Sequence, residues 1–79
     1  MNIEDYRKQI NEIDKKLATL LDERLDVCKK IGEYKKENNI PVLDSRREEE
    51  VFANIKTNAK HEEVVEIYKE IINQSKKVQ

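Results

Sequence analysis

The sequence is poor in the residues that build turns, cross-links and large cores. Its 79 residues include one glycine, one proline, one cysteine and no tryptophan, and only four residues are aromatic. A single cysteine excludes an internal disulfide, and no cluster of cysteine and histidine suggests a metal site. Because β-branched alternation is missing as well, we predict an all-α fold in a single domain, residues 1–79.

A strong charge of one sign is also missing. The net charge is −1, and acidic and basic residues are interspersed along a chain that is 42% charged. This pattern does not favour binding to nucleic acid or to an anionic lipid surface. The first residues do not form a signal peptide, and no stretch approaches the length of a membrane span. With a free cysteine and no export signal, we expect a cytoplasmic protein.

What the sequence does contain is a long apolar seam. From Ile3 to Lys36, apolar residues recur at alternating spacings of three and four, which predicts one helix of about nine turns. The seam consists of Ile3, Tyr6, Ile10, Ile13, Leu17, Leu20, Val27, Ile31 and Tyr34. Arg24 stands where another apolar residue is due, and a cation there costs stability unless it meets a negative partner. We therefore expect an anion at Arg24.

The length of this helix points to self-association. About 34 helical residues span about 50 Å, whereas a compact monomer of this size has an expected radius of gyration of about 12 Å. Small domains without disulfides or metals are often stabilised by oligomerisation. We therefore predict an intertwined homodimer, with a monomeric three-helix bundle as the alternative.

Two shorter helices are expected after the long one. The proline in Ile40–Val42 excludes the helical conformation before it, so this segment is extended. A short helix then begins at Asp44 or Ser45 and ends near residue 58. Ser45 with Glu48 would form a capping box, and Asp44 is an equally good cap. A helix of medium length begins near His61, which completes three helices: very long, short and medium.

Several polar residues fall where the helical pattern predicts the interior or the flank of the seam. They are Arg7, Arg24, Lys35, Arg47, Glu48, Ser75 and Gln79. Cations with one acid and two neutral groups suit a small dianion that carries a hydroxyl, because the planar fork of arginine binds a carboxylate through two parallel hydrogen bonds. For Ser75 and Gln79, the alternative is a last helical turn that simply frays into water.

Helical geometry divides these cations between two sites. Arg24 and Lys35 share a face and lie about 16 Å apart along the axis, within reach of one small ligand. Arg7 is about 42 Å from Lys35 along the same helix, so it cannot serve that site and is expected to serve the partner subunit's. Gly32, between Arg24 and Lys35, indicates either close helix packing or room for a ligand.

The order of these residues resembles the all-helical chorismate mutases over essentially the whole chain. The matching pieces are Arg7-x-x-Ile10-x-x-Ile13-Asp14, Leu20-Leu21-x-x-Arg24, Ile31-Gly32-x-x-Lys35, Pro41-Val42-x-Asp44-x-x-Arg47-Glu48 and Ile71-Ile72-x-x-Ser75-x-x-x-Gln79. The resemblance implies an intertwined homodimer that needs no cofactor. It also implies conversion of chorismate to prephenate by a Claisen rearrangement, in the biosynthesis of phenylalanine and tyrosine.

The resemblance also implies roles for individual residues. Arg24 and the partner subunit's Arg7 would hold the two carboxylates of chorismate. Lys35 would bind a carboxylate and the ether oxygen of the breaking C–O bond, and Gln79 would be the second donor to that oxygen. Glu48 would accept a hydrogen bond from the ring hydroxyl. Supporting contacts are expected from Asp44, Arg47 and Ser75.

Two other functions fit the same pattern. An isochorismate pyruvate lyase of the same fold would use much the same cations. A non-enzymatic helical dimerisation module would need only the seam, and it would tolerate leucine at Arg24 and Gln79 without loss of function.

Overall fold

Three helices make up the protein in the computed structural model, which describes all 79 residues. The helices are α1 (Ile3–Glu37), α2 (Ser45–Asn58) and α3 (Glu62–Val78). The predicted all-α class and the order very long, short, medium are confirmed. No helix has the combination of length and apolarity that crossing a membrane requires.

Side-chain caps fix where the first two helices begin. At the start of α1, Asn2 and Asp5 form a capping box, in which each side chain accepts the backbone N–H of the other at 3.1 Å. At the start of α2, Asp44 is the cap, and its Oδ1 accepts the N–H of Arg47 at 3.0 Å. Ser45 is therefore already helical, so the alternative capping box of Ser45 with Glu48 does not form.

The long helix gives the chain an elongated shape. The molecule measures 55 × 22 × 15 Å, and its radius of gyration is 15.7 Å. A compact chain of this length would have a radius of gyration of about 12 Å. The excess arises because residues 1–20 are almost entirely exposed, while only the second half of α1 contributes buried residues.

Helix α3 joins the other two helices. It packs against both α1 and α2, whereas α1 and α2 make no close backbone contact with each other. The buried interior is thin and consists of Cys28 and Gly32 on α1 with Ile72 and Ser75 on α3. The second half of α1, α2 and α3 therefore surround a space that their own side chains do not fill.

The apolar seam of α1 has no partner within the chain. Its nine apolar residues are exposed, from 41% at Ile31 to 61% at Tyr34. Isolated exposed apolar residues are ordinary on protein surfaces, but a contiguous apolar face is typical of an interaction surface.

Candidate active site

A cavity of about 250 Å³ lies between the three helices. It is lined by seven of the eight residues predicted to contact a ligand: Arg24, Lys35, Asp44, Arg47, Glu48, Ser75 and Gln79. The rest of the lining is formed by Cys28, Ile31, Val42, Val51, Ile72 and Lys76. Arg7 lies outside it, on the exposed first half of α1, where it pairs with Glu4 at 2.8 Å.

Arg24, the cation in the seam, is oriented by two residues of α3. Its Nη1 donates a hydrogen bond to Ser75 Oγ, and its guanidinium carbon lies 5.9 Å from the centre of the Tyr68 ring, a cation–π distance. Ser75 Oγ in turn donates to the carbonyl oxygen of Ile71 at 2.6 Å. Tyr68 and Ser75 are two helical turns apart and share a face. Arg24 makes no ion pair with an acidic residue, so its charge is left for an anion.

Lys35 and Gln79 form the second polar contact between α1 and the last turn of α3. Lys35 Nζ donates to Gln79 Oε1 at 2.9 Å and to the carbonyl oxygen of Val42 at 2.9 Å. An ammonium group has three donors, so one of them is left for a ligand. The carboxamide of Gln79 has its oxygen turned to Lys35, and its N–H groups donate to no protein atom. Two kinds of N–H donor are thus available at the same end of the cavity.

Gly32 allows this contact because it lacks a side chain. A Cβ at Gly32 would lie 2.7 Å from both the Cα and the carbonyl oxygen of Gln79. The backbone of Gln79 therefore packs directly on α1, which answers the question left open by the sequence in favour of close packing. A glycine within a helix costs about 1 kcal/mol of stability relative to alanine. At position 32, the glycine leaves the space in which the backbone of Gln79 packs against α1.

Substitution of Gly32 by alanine is expected to detach Gln79 from α1. The new methyl group would overlap backbone atoms that cannot rotate away, so the last turn of α3 has to move. We expect amide hydrogen exchange in that turn to become faster by about tenfold, the size of effect that follows from losing about 1.4 kcal/mol of local stability. Glu33→Ala, at the exposed neighbouring position, is the control, and equal exchange in the two variants would contradict the expectation.

The second helix and the residue that caps it contribute three charged side chains to the cavity. Asp44 caps the helix, and Arg47 pairs with Glu50 at 3.4 Å, with both side chains more than half exposed. Glu48 is paired across the helix interface with Lys76 of α3, with 3.5 Å between Oε1 and Nζ. Charged side chains from all three helices therefore converge on the cavity.

The charges around the cavity are unbalanced. Four cations line it, Arg24, Lys35, Arg47 and Lys76, against the two carboxylates of Asp44 and Glu48. Two positive charges are in excess, which suits a small dianion. Outside the cavity, the pKa of the exposed Glu70 carboxyl is lowered, chiefly because Gln74 and then Asn73 donate hydrogen bonds to its charged form.

Sequence reasoning missed two polar contributors to the cavity. Lys76 stands beside Lys77 and resembles a solvated pair of charges, yet it lies four residues after the buried Ile72, a spacing that places both on one helix face. Val42 contributes a carbonyl oxygen rather than a side chain, and a sequence pattern gives no signal for that contact.

The lining favours binding and electrostatics over covalent chemistry. Cys28, the one thiol, is buried, and the one histidine, His61, lies exposed at the start of α3 and outside the cavity. The N–H donors of Lys35 and Gln79 and the carboxylate acceptor of Glu48 line the same cavity and would hold an anionic ligand with a hydroxyl in one orientation. Such preorganised donors stabilise charge that develops during a reaction.

The chain is similar to proteins of one family throughout its length. The family described as "Chorismate mutase type II" matches residues 6–79. A chorismate mutase of Methanocaldococcus jannaschii is 31% identical over 80 residues, which cover 95% of this chain and 81% of that protein.

Two longer relatives match as well. Bifunctional chorismate mutase/prephenate dehydratases of Aquifex aeolicus and Buchnera aphidicola are each 37% identical, over 79 and 75 residues. These matches cover 90% and 89% of this chain, but only 22% and 20% of the bifunctional proteins. The chain thus spans about a fifth of their length.

A solved structure shares the fold. A conserved hypothetical protein from Pyrococcus furiosus superposes with a TM-score of 0.85 at 38% sequence identity. The superposition covers 96% of this chain and 92% of that one.

Proposed function

The chain belongs to the chorismate mutase type II family, and we propose that it catalyses the Claisen rearrangement of chorismate to prephenate. The observation that carries the proposal is the cavity, where seven residues expected to bind chorismate lie together under an excess of two positive charges. Chorismate is a dianion with a ring hydroxyl, so its charge and its polar groups match this lining. By this proposal the protein serves the biosynthesis of phenylalanine and tyrosine in the cytoplasm.

The proposed mechanism begins with selection of a conformer. The reaction is unimolecular, and it requires the compact pseudo-diaxial form in which the two ends that will bond lie close together. Arg24 would hold one carboxylate with the guanidinium edge that Ser75 leaves unused, and Glu48 would accept a hydrogen bond from the ring hydroxyl. Holding a ligand at these separate points excludes its extended conformers, which is the entropic part of the rate enhancement.

Electrostatic stabilisation of the ether oxygen would supply the rest. Negative charge grows on this oxygen as the C–O bond breaks, so donors placed there bind the transition state more tightly than the substrate. Lys35 has one ammonium N–H left after its bonds to Val42 and Gln79, and the carboxamide of Gln79 has both of its N–H groups unpaired. Loss of one such donor typically costs about 10²–10³ in rate.

The proposal includes an intertwined homodimer. The exposed seam of α1 would pack against the same seam of a second copy, and the long helix would extend beyond its own cavity. Arg7 lies on this extension and about 42 Å along the helix from Lys35, too far to reach the cavity of its own chain. The partner subunit's Arg7 would hold the second carboxylate of chorismate. No nucleic acid or membrane has a part in this proposal.

An assay of the products tests the proposal. Purified protein should consume chorismate, seen as loss of its absorbance, and should form prephenate with no salicylate. Formation of salicylate and pyruvate from isochorismate would identify a lyase instead. A stable dimer that turns over neither compound would leave a dimerisation module.

The pH dependence should be weak near neutrality. The proposed donor at position 79 is a carboxamide, which donates hydrogen bonds without first being protonated. We expect kcat to change by less than about twofold between about pH 6 and about pH 8, because the N–H groups of a carboxamide are donors in a neutral group. Stopped assays of prephenate at each pH provide the measurement, and a steep loss within the interval would count against this role for Gln79.

A further inference from the structure

Lys76 is a cationic side chain in the cavity that the sequence pattern did not single out, and it has no role in the proposed mechanism. It forms an ion pair with Glu48, and this is the only ion pair in the structure that joins two helices. The other five join residues three or four positions apart on one helix, and both partners in each are largely exposed. In the Lys76–Glu48 pair, the side chains are 36% and 26% exposed.

The geometry of the pair leaves half of the carboxylate free. Lys76 Nζ lies 3.5 Å from Oε1 of Glu48, and the carboxylate accepts no hydrogen bond from any protein donor. Oε2 is thus available to a ligand. Without a cation on Oε1, rotation about the last side-chain torsion, which has a broad and shallow preference, would move Oε2 away from any fixed position.

Lys76 also contributes to the positive charge that this chain supplies to the cavity. With it, the lining has two positive charges in excess of its carboxylates. Without it, the excess from this chain's own side chains falls to one, and Glu48 has no cation of its own beside the two carboxylates of chorismate. Arg47 does not replace it, because its guanidinium pairs with Glu50.

We propose that Lys76 is a positioning residue, which fixes the carboxylate of Glu48 so that it can accept the ring hydroxyl of the bound dianion. This inference rests on the proposed function and deepens it. It assigns the recognition of the hydroxyl to an ion pair between α2 and α3 rather than to Glu48 alone. The hydrogen bond to the hydroxyl exists both before and during the rearrangement, so its loss should weaken binding more than it slows the chemical step.

The first test compares neighbouring lysines. Lys77→Gln removes the same charge from the same turn of α3, at an exposed position outside the cavity. For Lys76→Gln, we expect KM to rise by about tenfold while kcat changes by less than about threefold, the signature of lost uniform binding. Lys77→Gln should change either constant by less than about twofold, and Lys76→Arg should restore most of the loss. Equal kinetics for the two glutamine variants would overturn the proposal.

A double-mutant cycle separates positioning from a merely structural role. If Lys76 acts through Glu48, then Lys76→Gln should add less than about a twofold loss in kcat/KM once Glu48→Gln is present. A structural role predicts a comparable additional loss in that background, together with a lower melting temperature, and would overturn the proposal. Turnover of chorismate by the wild-type protein distinguishes failure of the proposed function from failure of the role proposed for Lys76. Failure to convert chorismate would refute the proposed function, whereas normal turnover with no coupling would refute only the role of Lys76.

Discussion

Arg24→Leu is expected to lower turnover severely while the folded protein becomes more stable. Each hydrogen bond to a charged group contributes about 1.5–3 kcal/mol, so loss of both bonds to a carboxylate should lower kcat/KM by about 10²–10⁴. The folded state should not suffer, because leucine fits the apolar seam and Ser75 keeps its bond to the carbonyl oxygen of Ile71. Chorismate consumption and the thermal unfolding midpoint are the two measurements.

Turnover and thermal stability are expected to change in opposite directions, so a loss of activity cannot be attributed to unfolding. Arg46→Leu is the control, since that side chain is 91% exposed and lies outside the cavity. It should leave turnover unchanged. Full activity in Arg24→Leu, together with a higher melting temperature, would mean that the cation in the seam has no ligand to bind.

Mixing two inactive variants should restore activity if the sites are shared between subunits. In a heterodimer of Arg7→Ala and Arg24→Ala chains, both defects fall in one cavity, and the other cavity is intact. An equal mixture that exchanges at random should recover about a quarter of the wild-type activity, because about half of its dimers are mixed and each has one intact site of two. The specific activity of the mixture is compared with that of each variant alone.

A second mixture is the matched control for complementation. Arg24 and Lys35 line the cavity of the same chain. A heterodimer of Arg24→Ala and Lys35→Ala chains therefore has one defect in each cavity and should stay inactive. Demonstrated heterodimers of the Arg7 and Arg24 variants with no recovered activity would refute the donation of Arg7 across the dimer.

The fold could be predicted because its signals are local. Each signal acts within a few residues of the chain: the seam of α1, Pro41 and the cap at Asp44. The fold class and the helix bounds therefore follow from residue spacing and chain stiffness. What spacing does not determine is how the helices pack on one another. The sequence did not show that α3 would contact both other helices while α1 and α2 stayed apart.

The site was predicted to the extent that its residues break a pattern. Arg24 is conspicuous because it interrupts an apolar seam. Ser75 and Gln79 are conspicuous because they are polar at positions where the helical pattern predicts the interior. Lys76 breaks no pattern, since lysine near the end of a helix is common for reasons of the helix dipole. The contact of Gly32 with Gln79 joins residues that are far apart in the sequence, and no local signal could pair them.

The position of α3 as the one helix that packs against both α1 and α2 has a consequence for biosynthesis of the protein. Both other helices leave the ribosome before α3 does, and they do not pack on each other in the folded chain, so the cavity forms only once α3 is made. During that interval, the exposed seam of α1 is available to a second nascent chain. In the proposed dimer, pairing of the chains can therefore precede formation of either cavity, and a ligand can stabilise only the product of both events.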